Sequence, residues 1–300
     1  MAISEENLQK YVKAGKIAAK IREQMRQTVT EGMPIIDICE KVESLTRENG
    51  ARPAFPCNVS INEVAAHYSS PPQDKRIVPD NSIVKVDIGV HVDGYIADTA
   101  ATICFNSDYE NLASVTEKAL ETAVELLRPG LSIAKFGSTI QKSIEMQGFK
   151  PVSNLTGHQI GRYLVHSGKR LPNVSHISIS KVRAGEVYGV EPFATLPKAA
   201  GKVRSGKEAH IFRLIKRKSL KGEHAKQLLK SIESDFRTLP FSQRWLAGYL
   251  PSRHYPAAFS ELLSSRSLMA YPLFIEASGK PVAQAEHTVV ITEDGSRVLT

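Results

Sequence analysis

Residues 83–105 most limit the fold, because two runs rich in β-branched residues flank the dipeptide Asp93-Gly94. An Asp-Gly pair accepts positive φ at both positions and is typical of a two-residue hairpin loop. With that loop, Asp87 and Asp98 share one face of the hairpin, roughly 7–8 Å apart on the diagonal. Two acids on one apolar face repel each other unless a cation lies between them. The hairpin therefore predicts either a cation site or one aspartate that simply points to solvent.

Composition predicts a globular chain with a large core, since 42% of its 300 residues are hydrophobic. Cys39, Cys57 and Cys104 are an odd number without CxxC spacing, so a disulfide framework and a zinc knuckle are not indicated. The N-terminus has no apolar leader, and no run approaches the 18–20 apolar residues, roughly, of a membrane span. We therefore expect a cytoplasmic protein without a membrane contact.

Positive charge is concentrated between Lys202 and Arg253, which hold 13 lysines or arginines against 4 acids. The pattern between residues 201 and 271 is helical, and we interpret residues 202–270 as an inserted, basic, mostly helical subdomain. Such a segment is either a solvated charged face or a contact surface for nucleic acid or the ribosome.

An internal repeat is indicated by segments 32–50 and 130–148, each bounded by glycines 18 residues apart. Their apolar positions align at an offset of 98 residues, and each segment follows another predicted amphipathic helix, over 5–29 or 112–127. The match is either chance similarity between amphipathic helices or an internal duplication. A duplication would bring one histidine from each half, His67 and His166, to the same centre.

Polar residues set in apolar sequence mark other candidate positions. His158 precedes a predicted strand at residues 163–166, and Glu191 follows a run of apolar alternation. Glu286 and His287 are neighbours in a predicted strand, so their side chains face opposite sides and only one can join a shared site.

Together these residues form a set of oxygen ligands with one nitrogen: Asp87, Asp98, His158, Glu191 and Glu286. Such a set suits divalent first-row ions. Four carboxylates carry the charge that two divalent ions would neutralise, whereas one ion would leave two negative charges buried.

With these residues in place, the chain resembles the type 2 methionine aminopeptidases, in the form without a charged N-terminal extension. The resemblance covers essentially the whole chain and includes the helical insertion and four motifs: VDIGVHVDGYIADTA, LTGHQIGRYLVHSGK, VEPFAT and AQAEHT. It implies an α+β "pita-bread" fold, in which a curved antiparallel sheet has two pseudo-symmetric halves and outer helices. Residues 1–300 would form a single catalytic domain, with residues 202–270 as its insertion.

The resemblance also implies roles for the ligands at two divalent ions, which could be Co, Mn, Fe, Ni or Zn. Asp87 would bind one ion through both oxygens, and Asp98 and Glu286 would bridge the two. His158 and Glu191 would complete the other ion.

Further side chains would act on the substrate by the same resemblance. His67 and His166 would be catalytic and hold the peptide, and Glu191 would move the proton from water to the leaving amine. The methionine pocket would be lined by three residues with a tyrosine beside it: Phe55, Val165, His210 and Tyr271.

The implied activity is removal of the N-terminal methionine from nascent proteins and peptides, preferentially before a small second residue. One alternative is a non-catalytic relative that binds ribosomes or RNA, although such relatives lose ligands and this chain keeps all five. Another is a proline-specific aminopeptidase on the same metal site. We expect a monomer that acts on peptide N-termini and contacts the ribosome, if at all, through the basic insertion.

Overall fold

The computed structural model describes residues 3–300, and its helices agree with the hydrophobic periodicity. The α-helices are α1 (Glu5–Thr28), α2 (Ile35–Glu48), α3 (Glu110–Leu126), α4 (Ile133–Glu145), α5 (Glu223–Phe236) and α6 (Tyr255–Ser264). None of the helices within residues 3–300 is both long and apolar enough to cross a bilayer.

Strands make up the interior of the molecule, and every strand pairing within residues 3–300 is antiparallel. The strands are β1 (Arg52–Pro53), β2 (Asn58–Ile61), β3 (Val64–Ala66), β4 (Ile83–Val92), β5 (Tyr95–Cys104), β6 (Lys150–Pro151), β7 (Thr156–Ile160), β8 (Arg170–Pro172), β9 (Val187–Val190), β10 (Phe193–Thr195), β11 (Val203–Leu214), β12 (Phe241–Ser242), β13 (Leu268–Glu276), β14 (Val282–Gln284), β15 (His287–Ile291) and β16 (Ser296–Val298).

The predicted hairpin is confirmed as β4 and β5, with Asp87 directly opposite Ala100. Asp93 and Gly94 form its loop with φ of 51° and 86°, the left-handed pair that such a loop requires. β4 also pairs with β1 and β2, so the hairpin is the centre of one sheet. A second sheet has the order β16-β15-β9-β7-β8.

The internal repeat has a counterpart in the backbone. Gly32 and Gly130 have φ of 78° and 84°, and each opens the turn before a helix. The Gly32 N–H donates to the Val78 carbonyl over 2.8 Å, and the Gly130 N–H donates to the Val182 carbonyl over 2.9 Å. Because the two turns make the same hydrogen bond, the repeat reflects more than similar helical patterns and supports a duplicated unit.

Each helix pair buries its apolar face on the sheet of its own half. Ile21 of α1 packs in one cluster with Val86 of β4, and Phe136 of α4 packs in another with Val289 of β15. The inward faces of the sheets are thereby left free to carry polar groups at the centre of the molecule.

The segment 202–270 is less helical than its sequence pattern indicates. Residues 203–214 form the long strand β11, which pairs with β13, and helix begins only at Glu223. The sequence of β11 does not indicate a strand because many of its residues are polar. The strand depends on pairing with β13, about 60 positions later in the chain. Phe212, Phe241 and Phe259 join α5 and α6 in a separate apolar cluster.

The strand predicted at residues 163–166 is wrong. β7 ends at Ile160, and the chain then reverses in a turn in which the Gly161 N–H donates to the Leu164 carbonyl over 2.9 Å. Tyr163 has a φ of 56°, which a strand cannot accommodate.

Candidate metal centre and adjacent cavity

The β4–β5 hairpin supplies the first two acids. Asp98 is 3% exposed, and its backbone is held on both sides by Thr288. The Asp98 N–H donates to Thr288 Oγ1 over 2.6 Å, and that hydroxyl donates to the Asp98 carbonyl over 2.8 Å. A bridge between Ala100 and Glu286 joins the hairpin to the other half of the molecule. The hairpin thereby brings its acids to residues nearly 200 positions away.

The second half supplies His158 from β7 and two glutamates from the ends of short strands. His158 Nε2 lies 3.5 Å from Asp98 Oδ2, 3.6 Å from Glu191 Oε1 and 4.0 Å from Glu286 Oε1. These separations are longer than charge-assisted hydrogen bonds but short enough for the atoms to share one cation. Asp98, His158 and Glu286 each offer a buried ligand atom within 4.8 Å of the others.

The cluster fits a metal because three of its carboxylate oxygens are buried without a hydrogen-bond partner within residues 3–300: Asp87 Oδ1, Asp98 Oδ1 and Glu286 Oε1. A buried carboxylate oxygen without a partner is costly unless a cation satisfies it. The set of four carboxylates and one imidazole suits divalent first-row ions.

Glycine leaves the room that these ligands occupy. A Cβ on Gly189 would lie 2.8 Å from Glu286 Oε1 and 3.0 Å from the His158 ring. On the hairpin, a Cβ on Gly89 would lie 2.3 Å from the ring of Phe55. Both glycines therefore let a functional side chain approach the backbone of a strand.

Burial raises the pKa of Asp87, Glu191 and Glu286 well above the ordinary carboxyl range, and the charge of the neighbouring Asp98 raises each pKa further. Without a cation the cluster therefore favours bound protons. A bound cation would reverse this preference, because it stabilises the ionised carboxylates.

Gln284 is a neighbour of the cluster that the sequence interpretation missed. Its amide Nε2 donates to Glu191 Oε2 and to Glu286 Oε2, each over 3.3 Å. It lies two residues before Glu286, so strand alternation alone would have placed both side chains on one face. Gln284 therefore fixes the orientation of both glutamate side chains through one oxygen of each.

His67 and His166 both line the cavity beside the cluster. The rings of His158 and His166 are 4.3 Å apart between centroids. Burial lowers the pKa of His166 to about 2, with a further contribution from His158, and burial lowers the pKa of His67 to about 4. Both rings are thus neutral near pH 7.

The backbone contact of His67 sets its tautomer. Its Nδ1 lies 3.2 Å from the Pro272 carbonyl, which can only accept, so Nδ1 carries the proton and Nε2 is an acceptor. His67 also has a φ of 71°, an uncommon conformation for a residue other than glycine and one that clusters at functional sites.

A cavity of about 60 Å³ adjoins the cluster and is lined by almost every predicted site residue. Its polar wall is the ligand set with His67 and His166, and its less polar wall comprises Phe55, Val165, Ile211, Pro240 and Tyr271. A second cavity of about 400 Å³ shares both histidines and continues past Phe193 and Phe274. The small cavity is therefore a side pocket of a longer cleft.

His210 is the predicted residue that the structure does not bring to this cavity. Its Nε2 lies 3.0 Å from Glu208 Oε2, and its ring packs edge-on against Tyr68. Successive residues of β11 face opposite sides and the strand is irregular here, so Ile211 lines the cavity instead.

His287 faces away from the cluster, as strand alternation predicts. Its Nδ1 lies 3.1 Å from Arg22 Nη1 and 2.9 Å from Thr300 Oγ1, on the opposite side of the strand from Glu286. The choice that the sequence left open between Glu286 and His287 is thus decided for Glu286.

Comparison with known proteins gives a family and a fold. The family model described as metallopeptidase family M24 matches residues 9–293. A methionine aminopeptidase of Methanothermobacter thermautotrophicus is 40% identical over 296 residues, which is 98% of each chain.

Solved structures below 25% identity bear on the fold alone. A thermophilic Arx1 superposes with a TM-score of 0.85 at 21% identity, covering 99% of this chain and 91% of that one. A methionine aminopeptidase of Thermotoga maritima gives 0.72 at 20% identity, covering 100% and 98%. The predicted α+β pita-bread fold is confirmed.

Proposed function

Because the chain belongs to metallopeptidase family M24, we propose that it removes the N-terminal methionine from peptides and nascent proteins. The observation that carries the proposal is the placement of a small, partly apolar cavity directly beside the buried ligand cluster. An amino group held at the cluster would place the first side chain of a peptide in that cavity. Divalent metal ions are the cofactors, and the ligands are Asp87, Asp98, His158, Glu191 and Glu286.

Bound divalent ions would supply a water acidified to a pKa of about 7 and would polarise the carbonyl of the first residue. Glu191 is suited to move the proton, since Gln284 occupies its Oε2 and leaves Oε1 facing His158. His67 presents an acceptor and would receive the N–H of the scissile peptide. His166, neutral and beside His158, would donate to the developing oxyanion.

The apolar wall would select the substrate. Phe55, Val165 and Tyr271 form an apolar wall that suits an apolar side chain such as that of methionine. The role predicted for His210 would have to be indirect, since its side chain lies outside this cavity.

The test is hydrolysis of Met-Ala-Ser by metal-free protein with Co, Mn, Fe, Ni or Zn added singly. We expect cleavage after methionine only with metal, and little cleavage of Ala-Pro-Ser. Preference for Ala-Pro-Ser would replace the proposal with a proline-specific aminopeptidase. Inactivity with every metal, although the ions bind, would indicate a non-catalytic relative.

We further propose that the segment 202–270 docks the enzyme on ribosomal RNA in the cytoplasm. Lys216 and Lys218 are exposed in the link between β11 and α5, whereas the guanidinium of Arg217 is bonded to Glu233 on α5. The free positive charge of this link is thus smaller than its sequence indicates.

Ribosome co-sedimentation tests this contact. Changing Lys216, Arg217 and Lys218 to Glu should weaken binding, steeply with added salt, and leave peptide cleavage unchanged. A matched control changes the same amount of charge on the exposed face of α1, at Lys13, Lys16 and Lys20. Equal co-sedimentation of both variants and the parent would leave only a solvated charged surface.

A further inference from the structure

A buried ion pair joins the inserted segment to the N-terminal half. Glu43 of α2 is 2% exposed and accepts four hydrogen bonds. Arg244 donates two of them, over 2.8 and 3.0 Å, Trp245 Nε1 donates over 2.7 Å, and the Cys57 N–H donates over 3.3 Å. None of these residues lines the catalytic cavity.

Arg244 also bonds the segment that follows His67. Its Nε donates to the Ser70 carbonyl over 2.7 Å, and its Nη2 donates to Ser69 Oγ over 3.4 Å. Through Glu43 the same guanidinium is tied to Cys57, the residue before the cavity-lining Asn58. The network thus holds two chain segments that form one side of the cavity.

Residues on the other side of the cavity are close to Arg244 along the chain. Pro240, which lines the cavity, lies four residues before Arg244. Ser242, between them, pairs with the cavity-lining Ile211 of β11. Arg244 therefore lies where the inserted segment and the N-terminal half meet around the cavity.

Stability alone is a weak reason for such a pair. Apolar residues of similar volume often serve a buried site as well or better, because two charges must lose their water. The hydrogen bonds of Glu43 and Arg244 join helix α2, the Cys57 segment and the Ser69–Ser70 segment. Because hydrogen bonds are directional, they fix the relative position of these segments more closely than apolar packing would.

We propose that Arg244, held by Glu43, is a positioning residue that sets the width of the cavity receiving the methionine side chain. The inference rests on the proposed activity, because that activity assigns the cavity to methionine. Neither residue touches the substrate. Their effect passes through Pro240 on one wall and through the segment ending at Asn58 on the other.

The decisive variant is the double substitution Glu43→Gln with Arg244→Met. It leaves no unpaired buried charge, and the glutamine oxygen can still accept from either Trp245 Nε1 or the Cys57 N–H, which bond different oxygens of Glu43. We expect full metal content and a KM for Met-Ala-Ser raised about tenfold, with kcat within about threefold of the parent. Preference for Met-Ala-Ser over Leu-Ala-Ser should fall about fivefold.

Glu276→Gln is the matched control. Glu276 is fully buried, accepts from the Gly201 and Ser278 N–H groups over 3.0 and 2.7 Å, and lines neither cavity of the cleft. This substitution weakens a comparable buried network away from the cavity. It should lower the melting temperature without changing the preference for methionine over leucine.

Calorimetric binding of L-methionine separates this inference from the proposed activity, because it needs no turnover. If the parent binds L-methionine but does not cleave, the proposed function fails, while weaker binding by the double variant still supports Arg244. Equal binding and unchanged preference in the double variant would overturn the positioning role. If Glu276→Gln also lost the preference for methionine over leucine, the positioning role would be overturned. Any destabilisation of the fold would then be enough to change that preference.

Discussion

The two halves of the molecule repeat a backbone but not a set of ligands. The turns at Gly32 and Gly130 make the same hydrogen bond at an offset of 98 residues. The first half then presents Asp87 and Asp98 on two paired strands of ten residues each. The second half presents its ligands on or beside strands of three to five residues.

This difference shows that the repeated backbone and the functional side chains are under separate constraints. A duplicated helix and turn unit is kept by packing and backbone hydrogen bonds, which tolerate many side chains. The side chains on the inward face can therefore differ between the halves. One half carries two carboxylates on the paired strands β4 and β5, and the other carries His158 with two glutamates. The histidines differ too: His67 is bonded to the Pro272 carbonyl, and the His166 ring is tilted by 59° against the ring of His158.

The largest expected effect is at these histidines. His166→Ala should keep both metal ions by elemental analysis yet lose about 10²–10³ in kcat, because it removes one donor to the oxyanion. His158→Ala should lose one metal ion and partly recover activity at high metal concentration, because it removes the single nitrogen ligand.

His67→Ala is the matched variant in the other half. It should also retain metal and lose kcat, since the role proposed for His67 is to hold the substrate peptide, and its ring packs against Tyr271 and Phe274. Metal loss in His166→Ala together with metal retention in His158→Ala would reverse the two roles and refute the assignment on this side of the site.

A smaller effect is expected from metal removal, which tests whether the two halves are held together at the cluster. Metal at about 100 times its dissociation constant stabilises a protein by about 2.7 kcal/mol. For a chain of 300 residues, with an unfolding entropy of about 0.6 kcal/mol/K, that corresponds to roughly 4–5 °C in Tm. Chelation at pH 7.5 should therefore lower the Tm by about this amount.

The loss should be smaller at pH 5. The raised pKa values of Asp87, Glu191 and Glu286 mean that the metal-free folded state binds more protons than the unfolded state above about pH 4. Its free energy of unfolding therefore rises as the pH falls toward 5. A Tm that chelation leaves unchanged at pH 7.5, with metal shown to be gone, would contradict a shared site.

The smallest effect concerns the repeated turns. Gly32→Ala and Gly130→Ala each force an L side chain into positive φ, although neither Cβ would meet an atom within 4 Å. Each should lower the free energy of unfolding by about 1–2 kcal/mol in urea titrations, and by similar amounts. A difference above about 1 kcal/mol would show that the turns are alike in geometry but not in energy.

The sequence by itself determined the local features of this protein. The Asp93-Gly94 loop set the hairpin register, and with it the shared face of Asp87 and Asp98, because only one two-residue turn suits that dipeptide. Helical periodicity and the spaced glycines marked the repeat. Polar residues set in apolar sequence marked the five candidate ligands that the structure brings together, and the motif resemblance supplied their roles.

Only the tertiary structure decided what depends on partners distant in the chain. The polar strand β11 exists because β13 pairs with it, and the direction of His210 follows from an irregular step in that pairing. The bonds between Glu43 and Arg244 join residues 201 positions apart, which no local pattern can register. Periodicity reports which face of an element is apolar, whereas the three-dimensional packing alone determines which faces meet.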